Sequence, residues 1–245
     1  MIPYKERKEN KKNQIQSMFN HIAPRYDFLN HFFSMGLDKY WRRKSTKILK
    51  KHTSKNPKIL DLATGTGAWV KDLLTMNASG IIGADIAEDM LSVARNKFYH
   101  HPSEDIIKFQ AEDAENLSFE DNQFDLVTIG FGVRNFENIR KGIAEIYRVL
   151  KSDGIIAILE LTTPKKFPMK QCYMLYSKTL IPFLGKIVSK DRGAYSYLPE
   201  SIEEFSKTID LATIMKEERF IDIQIKPMSF GIVTLYFGKK QKTTQ

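Results

Sequence analysis

Lys58-Ile59-Leu60-Asp61-Leu62-Ala63-Thr64-Gly65-Thr66-Gly67 is the stretch that decides the fold. A short apolar run carries an acid near its end, and two glycines follow at once. Residues 68–76 then read as helical. An apolar strand passing through a glycine turn into a helix is the opening unit of a parallel α/β sheet. The rest of the chain repeats that alternation. A second apolar run spans 81–85, followed by a helix over 88–98. Strands over 107–110 and 124–129 come next, then a helix near 138–150 and a strand over 155–161. Near the end, residues 221–226 and 232–237 flank Pro227-Met228-Ser229-Phe230-Gly231, which reads as an antiparallel hairpin at one sheet edge. The class is α/β, with a doubly wound, mostly parallel seven-stranded sheet. The expected division is a basic helical lid (1–57), a core (58–161), an inserted helical cap (162–205), and a closing helix with the edge hairpin (206–245), all one domain.

Upstream of the core, apolar residues recur at helical spacing from Ile15 through Met18, Phe19 and Ile22, and Pro24 ends or bends that helix. A second, basic helix is expected over 41–51. The highly charged residues 1–13 are expected to fray. The 245 residues carry 38 Lys and Arg against 29 Asp and Glu, net +9. The charge is unevenly placed. Residues 1–58 hold 15 basic and 4 acidic side chains, residues 59–160 hold 9 and 17, and residues 161–245 hold 14 and 8. Basic flanks around an acidic centre suit an anionic partner, nucleic acid or a membrane surface, and equally suit solvated helix faces. The single cysteine, Cys172, excludes an intrachain disulfide and fits a reducing cytoplasm. Its histidines show no metal-ligand spacing, so no metal site is expected. No apolar run is long enough to span a bilayer, and the first residues lack the apolar segment of a secretory signal.

Ligands of open α/β sheets bind beyond the carboxyl ends of the strands. The turn Asp61–Gly67 lacks the third small residue of a dinucleotide fingerprint, because that position is Val70. No Gly-Lys-Ser/Thr follows, which sets aside a nucleoside triphosphate. An acid beside the turn fits a cationic ligand, and S-adenosylmethionine (SAM) brings a sulfonium and an ammonium without a pyrophosphate. Asp85 ends the second strand, where a carboxylate can accept from both ribose hydroxyls. Ala111-Glu112-Asp113-Ala114 ends the third, where a carboxylate can meet the adenine amino group. Three successive strand ends each carrying an acid is a stronger signal than one glycine turn. The expected cofactor residues are Asp61, Thr64, Gly65, Thr66, Gly67, Asp85, Ile86, Asp113 and Ala114.

Further motifs lie in register with these. They are Met18-Phe19, Ala23-Pro24-Arg25-Tyr26-Asp27, Trp41-Arg42, Gly83-Ala84-Asp85 and Asp113-Ala114-Glu115. After them come Phe131-Gly132-Val133-Arg134-Asn135, Arg148-Val149-Leu150-Lys151, Leu159-Glu160 and Tyr195-Ser196-Tyr197-Leu198. Taken together, the chain resembles the menaquinone/ubiquinone-biosynthesis C-methyltransferases over nearly its whole length. The Phe-Gly-x-Arg-Asn stretch is the most specific of these motifs. The resemblance implies a class I SAM-dependent methyltransferase acting on a ring carbon of a prenylated quinol. It implies that Tyr26 and its neighbours help form the cofactor site, and it adds a homodimer as an expectation. The chain departs from the family at Ala68, where an acid is usual, and at Tyr236, where a His is common.

The chemistry assigns roles. Ionising a quinol hydroxyl makes the neighbouring ring carbon electron-rich, and that carbon attacks the activated methyl. Arg134 can favour the phenolate or orient a water that takes the proton, and it stays protonated itself. With Asn135 it is the expected catalytic pair; the alternative is that both cap the following helix. Phe131, Tyr195 and Tyr197 are the expected substrate contacts. In 165–190, lysines interleave with aromatic and aliphatic residues, as on an interfacial surface or on a buried cap with lysines outward. A cytoplasmic protein touching the inner face of the membrane follows. Base-amine methyltransferases of nucleic acids often carry Asn/Asp-Pro-Pro-Tyr/Phe after the fourth strand. Here that position reads Ile129-Gly130-Phe131-Gly132, so nucleic acid is not the expected partner. A non-enzymatic SAM-binding module and a methyltransferase for another lipid stay as rivals. Demethylmenaquinol is preferred over the benzoquinol of the ubiquinone route.

Overall fold

Strands covered on both faces must be apolar on both faces, and the central runs are. Ile59, Leu60, Leu62, Leu126, Val127, Ile129 and residues 155–159 are all buried. The computed structural model describes residues 1–4, 6–177 and 192–242, the side chains of 192–196 excepted. Among the described residues, seven strands form one sheet. They are β1 (Lys58–Leu62), β2 (Gly80–Asp85), β3 (Ile107–Ala111), β4 (Phe124–Gly130), β5 (Leu150–Leu161), β6 (Phe220–Met228) and β7 (Val233–Lys240). Their order is β3-β2-β1-β4-β5-β7-β6. β1 to β5 pair in parallel, and β7 runs antiparallel to both β5 and β6. The C-terminal strands form the expected hairpin, with its second arm inside the sheet and its first arm on the edge.

The chain leaves β3 on one side of β1 and returns as β4 on the other. The carboxyl ends of β1 and β4 therefore open a crevice at the point where the strand order reverses. Helices α4 (Val70–Leu73), α5 (Glu88–Phe98) and α6 (Ile139–Val149) make the crossovers. α6 starts at Asn138, whose side chain accepts from the Lys141 amide at 3.1 Å. The residues after β5 include α7 (Met169–Leu175), α8 (Arg192–Thr208) and α9 (Leu211–Glu217).

In the N-terminal segment, α1 (Lys11–Ile22) and α2 (Tyr26–Phe33) line the crevice, while α3 (Leu37–Leu49) packs through Trp41 and Leu49 on the sheet beside α4. Pro24 falls in the 3-10 turn joining α1 to α2, where it bends the chain as expected. Residues 1–13, expected to fray, are tied to α1 at several of the described positions. Gln14 is fully buried and acts as a clamp: its Oε1 accepts from the Tyr4 amide, and its Nε2 donates to the Glu9 carbonyl, both at 2.9 Å. Asn10 caps α1 by accepting from the Asn13 amide at 2.9 Å. Charge alone suggested a solvated tail, whereas one buried amide organises the charged residues around it.

Candidate active site

Gly65 and Gly67 both take positive φ, +55° and +74°, a region that costs a side chain dearly. They turn the chain out of β1 and leave three carboxylates around the turn. Asp61 is buried beneath it. Register places Asp61 opposite Thr128 of β4, and its two oxygens accept from Thr128 Oγ1 at 2.6 Å and Thr64 Oγ1 at 2.7 Å. Burial pushes Asp61 up to about 6, against the pull of those two hydroxyls. Asp85, ending β2, faces the crevice. Its oxygens accept from the Gly65 amide at 2.8 Å and the Ala87 amide at 2.9 Å. Burial raises Asp85 as well, and the backbone amides hold it back. Asp113 follows β3, accepting from Lys12 Nζ at 2.7 Å and from the Glu115 amide at 2.9 Å. Desolvation would raise it, but those bonds win and hold it below the ordinary carboxylate range.

The crevice deepens here into a cleft that stays partly open to solvent. Gly65, Asp85, Glu112, Asp113 and Asn135 line it, with Ile86, Met90, Ala114 and Phe136 supplying apolar faces. Five carboxylates reach its wall (Asp85, Glu112, Asp113, Glu115 and Glu137), against the one lysine Lys12. That donor set suits a ligand with a positive charge, hydroxyls to donate and a flat apolar ring, and SAM meets all three requirements. Gly132 brings the loop after β4 against the glycine turn: a Cβ there would sit 2.5 Å from the Ala63 Cβ.

A second, largely apolar pocket adjoins the cleft. Met18, Ile22, Leu29 and Phe33 line it from α1 and α2, and Arg134 and Tyr197 close it. Phe19 and Tyr26 belong to both walls, so they form the partition between cleft and pocket. Arg134 Nη1 pairs with Glu160 Oε1 at 2.6 Å, with the arginine side chain 6% and the glutamate 0% exposed. The Leu161 amide donates to the same carboxylate oxygen at 2.8 Å. Arg134 Nε is buried without a hydrogen-bond partner. Tyr197, pushed up to about 12 by burial, donates to Asn135 Oδ1 at 3.0 Å.

A cleft suited to a cationic ligand thus lies beside an apolar pocket. The model of the ubiE/COQ5 methyltransferase family matches residues 5–240. The chain belongs to the ubiE/COQ5 methyltransferase family. A demethylmenaquinone methyltransferase from Bacteroides fragilis is 45% identical over 231 residues, 94% of each chain. One from Thermus thermophilus is 40% identical, covering 91% of this chain and all of its own. A ubiquinone/menaquinone biosynthesis C-methyltransferase from Geobacter sulfurreducens is 38% identical, covering 94% and 90%. Among solved structures, a SAM-dependent methyltransferase from Thermotoga maritima superposes with a TM-score of 0.63 at 16% identity, covering 92% of this chain and 99% of its own. The [4+2]-cyclase SpnF superposes equally, at 0.63 and 14% identity, covering 96% and 98%. The structural likenesses establish the fold, a class I methyltransferase sheet. As a member of this family the chain is a SAM-dependent methyltransferase.

The expected residues of this ubiE/COQ5 member divide into groups. Gly65, Asp85, Ile86, Asp113, Ala114, Tyr26, Asn135 and Phe131 line the cleft. Asp61, Thr64, Thr66 and Gly67 do not line it; they shape the turn from behind. Gly67 faces the Phe98 and Phe109 rings, 3.0 and 3.1 Å from where its Cβ would be. Thr66 Oγ1 donates to Asp27, which also pairs with Lys97, so one carboxylate ties α2 to the turn and to α5. Arg134 and Tyr197 line the apolar pocket. Phe131, expected on the substrate, lines the cleft and also packs edge-on to Trp41 at 6.3 Å. The side chain of Tyr195 and the cap residues 178–190 lie outside the described residues.

Sequence reasoning overlooked Lys12, Ile15, Phe19 and Glu137 as site residues, along with the partner role of Glu160. Lys12 lies in the charged stretch 1–13 that is expected to fray. The helical spacing of Ile15, Met18, Phe19 and Ile22 was a usable signal that this face covers something apolar.

Proposed function

We propose that the chain transfers the methyl of SAM to a ring carbon of demethylmenaquinol, completing menaquinone. The observation that carries this reading is the buried Arg134–Glu160 pair at the wall of an apolar pocket that shares Phe19 and Tyr26 with the cofactor cleft. The names of the relatives point to the same substrate.

Asp85, Asp113, Gly65 and Ile86 would hold SAM, which supplies an activated methyl when bound. The pocket's Met18, Ile22, Leu29 and Phe33 receive a flat apolar ring and exclude water from it. In that dry setting Arg134 acts on a quinol hydroxyl. Its unpartnered Nε is a donor for the oxygen, and the guanidinium stabilises the phenolate, whose charge spreads to the adjacent carbon. Glu160 fixes the guanidinium by a charge-assisted bond. Arg134 remains protonated throughout, so it orients and polarises. The hydroxyl proton passes to a water. The sulfur–methyl bond breaks as the ring carbon bonds the methyl, leaving S-adenosylhomocysteine, and the ring proton then leaves to water to restore the aromatic quinol. Tyr197 locks the Asn135 amide, which faces the cleft. A prenylated quinol resides in a bilayer, and the chain meets the cytoplasmic membrane surface peripherally to collect it. No helix among the described residues is long and apolar enough to cross a membrane.

The test is turnover of SAM with demethylmenaquinol and, separately, with the benzoquinol intermediate. The reading expects transfer to the naphthoquinol at a rate well above that for the benzoquinol. Equal or reversed rates would reassign the substrate, and no turnover with either would set the reading aside.

A further inference from the structure

Helix α2 uses two opposite faces. Leu29, Asn30 and Phe33 line the apolar pocket. Phe28 and Phe32, one turn apart, point away from it and stack on each other at 6.0 Å, 63% and 44% exposed. The exposed apolar surface continues through Met35 (75%) and Leu37 into Tyr40 at the start of α3. Soluble proteins scatter large apolar side chains singly, so five within thirteen residues of chain mark a surface built for a partner. The charge around them is one-sided. Lys39, Arg43, Lys44 and Lys47 are exposed on α3. The two acids of this stretch are spent: Asp27 on Lys97, and Asp38 on Arg42, where it is buried.

We infer that the α2–α3 corner is the membrane-docking surface, with Phe28, Phe32 and Met35 entering an anionic bilayer and the α3 lysines resting on its headgroups. Exposed apolar side chains followed within a few residues by exposed Lys and Arg fit a helix lying in the membrane interface. Docked this way, α2 separates lipid from the substrate pocket by the thickness of one helix. An apolar tail then passes from bilayer to pocket along its side. The assignment rests on the reading of the substrate as a membrane-borne quinol.

The test is flotation of the full chain with phosphatidylcholine vesicles, with and without phosphatidylglycerol and free of quinol. It compares wild type with Phe28→Ser/Phe32→Ser/Met35→Ser. Wild type is expected to float with anionic vesicles and to release at high salt. The triple variant should lose about tenfold or more in partitioning, given the transfer free energy of three large apolar side chains, while its SAM affinity and melting temperature are unchanged. It should also keep turnover of quinol in detergent and lose turnover of quinol in vesicles. Wild type that does not float, or a triple variant that floats equally well, overturns the assignment. So does a sedimentation profile in which the substitutions turn a dimer into a monomer, because a second copy of the chain would then be the occupant. Because the flotation vesicles carry no quinol, the flotation result is independent of whether demethylmenaquinol is the substrate.

Discussion

Arg134 Nη1 lies 2.6 Å from Glu160 Oε1, and neither side chain has appreciable contact with solvent. A buried pair of this kind is costly to break from one side, because the survivor stays charged with no counter-ion. Glu160→Ala is therefore expected to destabilise the fold by about 3–5 kcal/mol, read as a loss of melting temperature. Arg134→Lys keeps a positive charge but loses the planar fork. It should leave SAM affinity within about twofold while turnover falls by about a hundredfold or more, in the range of a lost electrostatic donor. Unchanged turnover in Arg134→Lys would remove Arg134 from the chemistry.

Asp85 holds the Gly65 amide and faces the cleft. Asp85→Asn should raise the SAM dissociation constant by about tenfold or more, as expected for removing a charged acceptor worth about 1.5–3 kcal/mol. Isothermal calorimetry measures it. Asp113→Asn should act in the same direction and also release Lys12. Lys12→Ala, which unpins α1 from Asp113, should speed SAM release. That effect should shrink with added salt, because the Lys12–Asp113 pair is partly exposed.

The buried Asp61 gives a pH signature. Its carboxyl is raised to about 6 in the folded chain from 3.8, so between those values the native state binds more protons than the unfolded state. Its contribution to stability is thus greatest below about pH 4 and is lost as pH rises through about 6. Asp61→Asn removes that titration. Across this window the melting temperature of the variant should gain on that of wild type as pH rises. A constant difference would mean that Asp61 does not titrate there.

Ala63 and Gly132 test how the two loops seat. Gly132→Ala would place its Cβ 2.5 Å from that of Ala63, an overpacking that costs about 1–3 kcal/mol and pushes the turn out of place. Ala63 has φ +51°, so Ala63→Gly relieves both backbone and contact. The double variant should recover most of the stability and SAM binding lost in Gly132→Ala. Additive losses would show that the two positions do not meet.

The sheet was legible because its strands are continuous apolar runs such as Ile59-Leu60 and Ile155–Leu159, bounded by glycine, proline or acids. The strand-end acids were legible for the same reason: Asp85 and Asp113 fall where runs stop. What was not legible depends on side-chain direction and on distant partners. Asp61 reads as a ligand acid, but the pleat turns it beneath the loop toward Thr128. Gly67 reads as a glycine that lets the backbone approach the cofactor, but two phenyl rings occupy the space its side chain would need. The first thirteen residues read as a tail because nothing local reveals that Gln14 is buried among them. Glu160 ends an apolar strand without any sign that an arginine twenty-six residues earlier would meet it.

The central claim, methylation at a ring carbon, is tested most directly by mass spectrometry of demethylmenaquinol deuterated at its open ring position. After incubation with the protein and SAM, the product should gain one methyl and lose the ring deuterium, with both hydroxyls free. A product that keeps the deuterium and carries the methyl on oxygen would contradict the claim.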